Sequence, residues 1–330
     1  MKGSIIFQLK TVIQDMDRIG YSKVLAKRVF DQKGGVHSFK QKKELTKTMT
    51  NFAKWVRKEH DVKRLVDVNE KHYREYLESE KKHTTTDTKR GYETDLRLFQ
   101  KGYKNYCKKN NLQINEFVTK NRLISPRERS EGVSNRSLQE SDINGLKSEI
   151  STNSRHSLDL MHNMGFRVSE TTNLVVSDVD FEKGIINVRE NIAKGGRPRV
   201  VPIPQNFEQR LKEIIKDKES AERIVPIRPG TVSDNIKKIA NRKKMKSYTG
   251  THAFRHTYSR NERNRIMTES EKQMLNRCLT NYRNDKKFDY GIKKHERSLY
   301  NSMKSKVDEI HKNLGHGENR FDLALRYLSD

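Results

Sequence analysis

Cysteine is nearly absent: the 330 residues include two, Cys107 and Cys278, far apart in the chain. Two lone thiols build neither a disulfide framework nor a thiolate zinc site. Apolar residues are scarce as well, at 32%, and no run of them nears the roughly 20 residues of a membrane-crossing helix. The first ten residues, MKGSIIFQLK, lack the continuous apolar stretch of a secretory signal. The expectation is a soluble protein of the cytoplasm, with no membrane partner. Acidic residues are also short, 43 Asp and Glu against 69 Lys and Arg, for a formal net charge of +26. Such an excess favours a polyanion bound through counterion release, with steep salt dependence. The basic residues run along the whole chain, as in Lys42-Lys43, Lys89-Arg90, Arg242-Lys243-Lys244 and Lys293-Lys294, which points to nucleic acid. Charge alone does not say whether chemistry is done on it.

A composition this polar yields either disorder or small cores under charged surfaces. Periodicity decides for small cores. Ile5, Leu9, Val12, Ile13 and Met16 share one helical face, closed by Gly20. A second short helix is expected from Ser22 to Gly34-Gly35. Leu45, Met49, Phe52, Ala53 and Val56 mark a third, and a fourth lies between Asn69 and about Lys81. Thr84-Thr85-Thr86-Asp87 reads as the start of a fifth, with Leu96, Phe99, Tyr103 and Tyr106 along one face. Residues 1–121 thus form a helical, basic domain. Residues 122–135, punctuated by Pro126 and Gly132, read as a linker. Residues 136–330 form a second domain. It has a helix through Leu158 and Met161 ending near Gly165, then two short strands at 184–188 and 200–203, then helices to the end. The fold class is mainly α with a small β-sheet, α+β.

Five pieces of this second domain stand out: Gly165-Phe166-Arg167-Val168-Ser169-Glu170, Lys194 in the turn between the strands, His252-Ala253-Phe254-Arg255-His256, Leu314-Gly315-His316-Gly317, and Tyr327. Singly, each has a plain reading: a surface arginine, a solvated lysine, a chance His-x-x-Arg, a helix cap, a packed ring. In this order they resemble the tyrosine recombinase (phage integrase) family. Arg167-Val168-Ser169-Glu170 followed by Asp178, Gly184 and the run Lys194 to Pro202 is similar to the family's first box and β-hairpin. His252 to His256 is similar to the second box, and Leu314-Gly315-His316 with Tyr327 to the third. The resemblance implies a helical core-binding domain, a linker, and a mixed α/β catalytic domain that close on duplex DNA.

It also implies a site-specific DNA recombinase that cleaves and rejoins strands through a 3′-phosphotyrosyl intermediate, with no cofactor and no metal. Tyr327 would be the nucleophile. Arg167, Arg255 and His316 would stabilise the phosphorane, Lys194 would protonate the leaving 5′-oxygen, His252 would accept the tyrosine proton, and Glu170 would support neighbouring side chains. His256 is expected to be a structural hydrogen bonder. DNA contacts are expected from Lys89, Arg90, Arg97, Arg197 and Arg199. The partners would be double-stranded DNA carrying a specific site and, on synapsed DNA, a homotetramer of a chain that is a monomer or weak dimer alone. Integration, excision or resolution of a mobile element or plasmid are the settings implied. A topoisomerase IB-like or telomere-resolving enzyme, or a DNA-binding protein that keeps the fold without catalysis, are the alternatives.

Three features depart from the family pattern. Arg255 and His316 lie 61 positions apart, so an extra helical segment near 262–300 is expected, packed on the domain or touching DNA or another subunit. His316 and Tyr327 are 11 positions apart, slightly more than usual, which leaves Tyr290 and Tyr300 as weak competitors. Three residues follow Tyr327, so subunits are expected to be linked by some element other than a C-terminal helix, such as that insert or the first helices.

Overall fold

The computed structural model describes residues 1–21, 34–79, 84–126, 134–194 and 196–329. The helix expected from Ser22, the end of the fourth helix near Lys81 and half of the expected linker, residues 127–133, fall outside them. The chain divides into two units, Met1–Glu128 and Arg129–Asp330. It is mainly helical with one small antiparallel sheet.

In the first unit, helix α1 (Ile5–Asp15) is capped by Ser4, whose hydroxyl accepts from the Phe7 amide at 3.4 Å. Helix α2 (Phe39–His60) begins on Ser38 and stops where Asp61 turns left-handed. Helix α3 is Glu70–Ser79, and α4 (Thr86–Lys109) is capped by Thr85. Apolar residues at helical spacing meet in one core, with Leu45, Met49 and Phe52 of α2 against Leu96 and Phe99 of α4 and Phe117 beyond it. Gly102 lets α4 approach α1 closely, because a Cβ there would run into Met16.

The unit also holds a fully buried carboxylate. Glu93 accepts from the amides of Leu123 at 2.8 Å and Ile124 at 3.2 Å, and from Tyr73 Oη at 2.9 Å. Burial alone would raise its pKa, but these donors and Arg97 hold it below the ordinary value. The first residues of the expected linker are thereby fastened to the helical unit.

The second unit begins with α5 (Glu140–Lys147), α6 (Thr152–Met164) and the single turn α7 (Val168–Thr171). Three strands follow, β1 (Val179–Asp180), β2 (Ile185–Val188) and β3 (Arg199–Pro202), in the order β1-β2-β3. Ile186 pairs with Val201 and Val188 with Arg199. Strand β1, two residues long, was not expected; a segment that short carries no alternation to read. Ile186 and Val201 face inward and Val200 outward, as a half-buried sheet requires. Helices α8 (Gln205–Ile215), α9 (Pro229–Arg242), α10 (His252–Ile266), α11 (Glu269–Arg283), α12 (Arg297–Asn313) and α13 (Phe321–Tyr327) complete the unit.

Helix α6 sits between two cores: Leu160 and Met164 pack with the sheet and α8, while Leu158 and Met161 pack with α5 and α9. A third core joins α11, α12 and α13. It contains the expected insert, which packs on the helix that carries Tyr327. Phe288 stacks on Phe321 of α13 at 4.0 Å and 9°, with Tyr282 edge-on at 6.2 Å. Among the described residues, no helix is long and apolar enough to cross a membrane.

Candidate active site

Helix α6 ends at Gly165, whose φ of +64° is left-handed and whose missing Cβ leaves room for Tyr258. The chain then turns into Arg167, which precedes α7. The Arg167 amide donates to Glu170 Oε2 at 2.9 Å and its guanidinium to Oε1 at 2.9 Å. Glu170 is fully buried. Burial would raise its carboxyl, but Arg199 and then Arg167 hold it at about 2.

Arg255, in the first turn of α10, is 1% exposed. Its Nη1 donates to the Gly165 carbonyl and its Nη2 to the Leu314 carbonyl at 2.8 Å. Nη2 also lies 3.4 Å from His316 Nε2, which is the acceptor because arginine only donates. One guanidinium thus joins the end of α6 to the turn after α12. Burial, and then the charge of Arg167, lower Arg255 to about 10, so it remains a cation at neutral pH. Burial first and Arg255 second push His316 down to about 2, leaving a neutral imidazole.

Tyr327 ends α13 and is 8% exposed. Its ring stacks on His256 at 4.3 Å and 24°, and lies 5.3 Å from the His316 ring. The backbone just past it is held by α10, with Arg263 Nη1 donating to the Leu328 carbonyl at 2.6 Å and Arg260 to the Ser329 carbonyl. His252, at the start of α10, is exposed. Desolvation by neighbouring atoms, then Arg255, Arg167 and Lys194, hold it below 6.5, so at pH 7 it is neutral and able to accept a proton. Lys194 is exposed between β2 and β3, close enough for its charge to act on His252. Gly195 beside it lies outside the described residues.

The structure therefore brings together Arg167, Glu170, Arg255, His316 and Tyr327, with His252 and Lys194 at the rim. Of the competing tyrosines, Tyr300 packs against Phe288 and Tyr290 is exposed beside Lys286. Three expectations need correction. Arg199 is not a surface DNA contact, because its side chain is 5% exposed and bonded to Glu170. Arg97 is likewise turned inward, donating to the Thr119 carbonyl at 2.8 Å and to Glu93 at 3.3 Å. His256 is a stacking partner rather than a hydrogen bonder: its buried Nδ1 has no partner.

Arg197 is exposed, and Lys89 and Arg90 are partly exposed on the first unit. His311 was missed. It is fully buried on α12 with its ring 5.6 Å from His316, and its carbonyl accepts the His316 amide at 2.8 Å. Among the described residues, no group of three or more His, Cys, Asp or Glu side chains is placed to hold a metal ion.

Residues 136–279 match the phage integrase family. The match lies within the second unit and ends before His316 and Tyr327. Relatives of this domain include the tyrosine recombinase XerA of Pyrococcus furiosus, 42% identical over 57 residues, or 17% of this chain and 19% of that protein. XerA of Thermococcus onnurineus is 34% identical over 110 residues, 30% of this chain and 38% of that one. The matches thus span well under two thirds of those relatives. Among solved structures, a lambda integrase (75–356) dimer bound to a COC' core site superposes with a TM-score of 0.60 at 14% identity, covering 98% of this chain and 95% of that one. XerH recombinase bound to palindromic difH superposes at 0.59 with 13% identity, covering 98% and 82%. These likenesses are of fold. The paired arginines lie within the matched residues; the histidine turn and Tyr327 lie beyond them and are read from this chain's own geometry.

Proposed function

We propose that this protein is a site-specific DNA strand transferase that uses Tyr327 as nucleophile and double-stranded DNA as substrate. The observation that carries the reading is Tyr327 packed between His256 and His316, with Arg255 tied to His316 and to the turn that presents Arg167. Phosphoryl transfer needs an aligned nucleophile and cationic donors where charge gathers. In this reading Tyr327 Oη attacks the phosphorus, its proton passes to neutral His252, and the phosphorus–oxygen bond to the 5′ side breaks. Lys194 protonates the departing 5′-oxygen. The phosphate stays joined to the tyrosine as a 3′-phosphodiester, so attack by a 5′-hydroxyl reseals a strand with no outside energy. Arg167 donates to the non-bridging oxygens, and Arg255 and His316 join it once the phosphate takes the place of their mutual contact and His316 carries its proton on Nε2.

The +26 net charge supports a DNA partner. Arg197, and Lys89 and Arg90 on the first unit, are the surface cations assigned to phosphates. Assembly as a tetramer on synapsed DNA belongs to this proposal, as does a cytoplasmic location. The test is a nicked duplex taken from beside the protein's own gene, incubated without divalent metal and run on a denaturing gel. A covalent adduct that disappears in Tyr327→Phe is expected. Tight, salt-sensitive binding to that duplex with no adduct from the parent would instead make the domain a binding module.

A further inference from the structure

We infer that Arg199 is a positioning residue that locks the Arg167–Glu170 turn to the Leu314–Gly315–His316 turn. This rests on the strand-transfer reading of the site. Arg199 opens β3 opposite Val188, and its side chain points inward and is 5% exposed. Its Nε donates to the Asn313 carbonyl at 2.8 Å. Nη1 and Nη2 donate to Glu170 Oε1 at 3.1 Å and Oε2 at 2.8 Å. One rigid fork therefore joins the last residue of α12 to the carboxylate of α7.

Glu170 is shared between two guanidiniums. Arg167 lies on its more open side at 14% exposure and Arg199 on its closed side at 5%. The same guanidinium lies close to the backbone that presents His316. A Cβ on Gly315 would sit 3.0 Å from Arg199 Nη1 and 3.2 Å from Cζ, and the φ there is +68°. Glycine is thus favoured at this position both for its left-handed backbone and for the approach of Arg199.

The arrangement sets the two halves of the site in register. Arg167 is oriented by Glu170, Glu170 is held by Arg199, and Arg199 also fixes the turn leading to His316. A lysine cannot replace it, because a single ammonium on a flexible stem does not span a carboxylate and a carbonyl in fork geometry. At 5% exposure the Arg199 side chain would have to move to reach a phosphate.

The test uses the full chain as parent, Arg199→Ala and Arg199→Lys, with three readouts. The first is amide hydrogen exchange of the free protein over residues 165–173 and 312–320. Exchange at Gly315 and His316 is expected to rise at least about tenfold in Arg199→Ala and by less in Arg199→Lys. The second is affinity for a random-sequence duplex across a salt series, where the slope of log K against log salt is expected to stay that of the parent. The third is the rate of adduct formation on the nicked duplex, expected to fall about 100-fold.

Unchanged exchange over 312–320 overturns the proposal, as does a salt slope reduced by about one, which would make Arg199 a phosphate contact. Absence of adduct from the parent would sink the strand-transfer reading instead, and the exchange data would still judge the lock. Should Arg199→Ala fail to fold, Arg199→Gln serves with Arg199→Lys for the same exchange measurement.

Discussion

Helix α2 is buried along one face and the first half of α10 on every side, and the two are buried by opposite means. Helix α2 buries Leu45, Met49, Phe52, Ala53 and Val56. Helix α10 buries Ala253, Phe254 and Tyr258, and with them Arg255, His256, Thr257, Ser259, Glu262 and Arg263. Apolar burial stabilises at roughly 25 cal/mol per Å² and asks only for shape. A buried polar side chain costs stability unless each of its groups finds a partner, so its surroundings must be specified one by one. The first helix builds a support; the second builds a site.

Two substitutions break this contrast most strongly. Arg255→Ala removes the donors to the Gly165 and Leu314 carbonyls. Leaving both unpaired is expected to cost about 2–5 kcal/mol in denaturant unfolding, and adduct formation should fall by about three orders of magnitude. Phe52→Ala, in the stacked pair with Phe117 at 5.9 Å, is expected to cost about 3–5 kcal/mol. Under conditions where the variant is folded, its adduct rate per molecule should match the parent. If the two variants lose adduct equally, α10 is only another core helix.

The same contrast explains what could be read from the residues alone. Helices α1, α2 and α4 announce themselves because their apolar positions repeat within a few residues. The pieces around Arg167, Arg255, His316 and Tyr327 were visible as short motifs, and the structure brings them together. Arg199 was misread because its partners Glu170 and Asn313 lie 29 and 114 positions away. No local pattern tells an arginine bound for a buried carboxylate from one bound for a phosphate. His256 was misread for a related reason, since the ring it stacks on is on α13. The inward turn of Arg97 depends on Thr119 and Glu93, and Glu93 looks in sequence like any solvated glutamate.

The insert offers a smaller effect that sharpens the comparison. It is apolar like α2 yet packs on the helix bearing Tyr327. Phe288→Ala removes the face-to-face partner of Phe321 and is expected to cost about 3 kcal/mol. Unlike Phe52→Ala, it should also slow adduct formation at temperatures where the variant is fully folded, because α13 loses its lateral support. A normal rate in folded Phe288→Ala would make the insert a stabilising appendage with no part in placing the nucleophile.

The smallest expected effect concerns protons. Burial pushes His256 and His311 to about 4 and His316 to about 2, each below the usual 6.5. A histidine kept neutral in the folded state binds a proton more readily when unfolded. Its folding free energy is therefore undiminished above pH 6.5 and declines as pH falls toward its folded value. His311 isolates this behaviour. It is fully buried, neither ring nitrogen has a partner, and the nearby charges of Asp308, Asp322 and Arg320 act less strongly than burial. Replacing it with leucine breaks no side-chain hydrogen bond and keeps its carbonyl for the His316 amide. Between pH 7 and pH 5 the parent should lose about 2 kcal/mol more stability than His311→Leu, one proton's worth over the part of the range below 6.5. Chemical denaturation at the two pH values measures it. Equal losses would mean that His311 is protonated in the folded domain, and that the apolar setting behind His316 admits a charge.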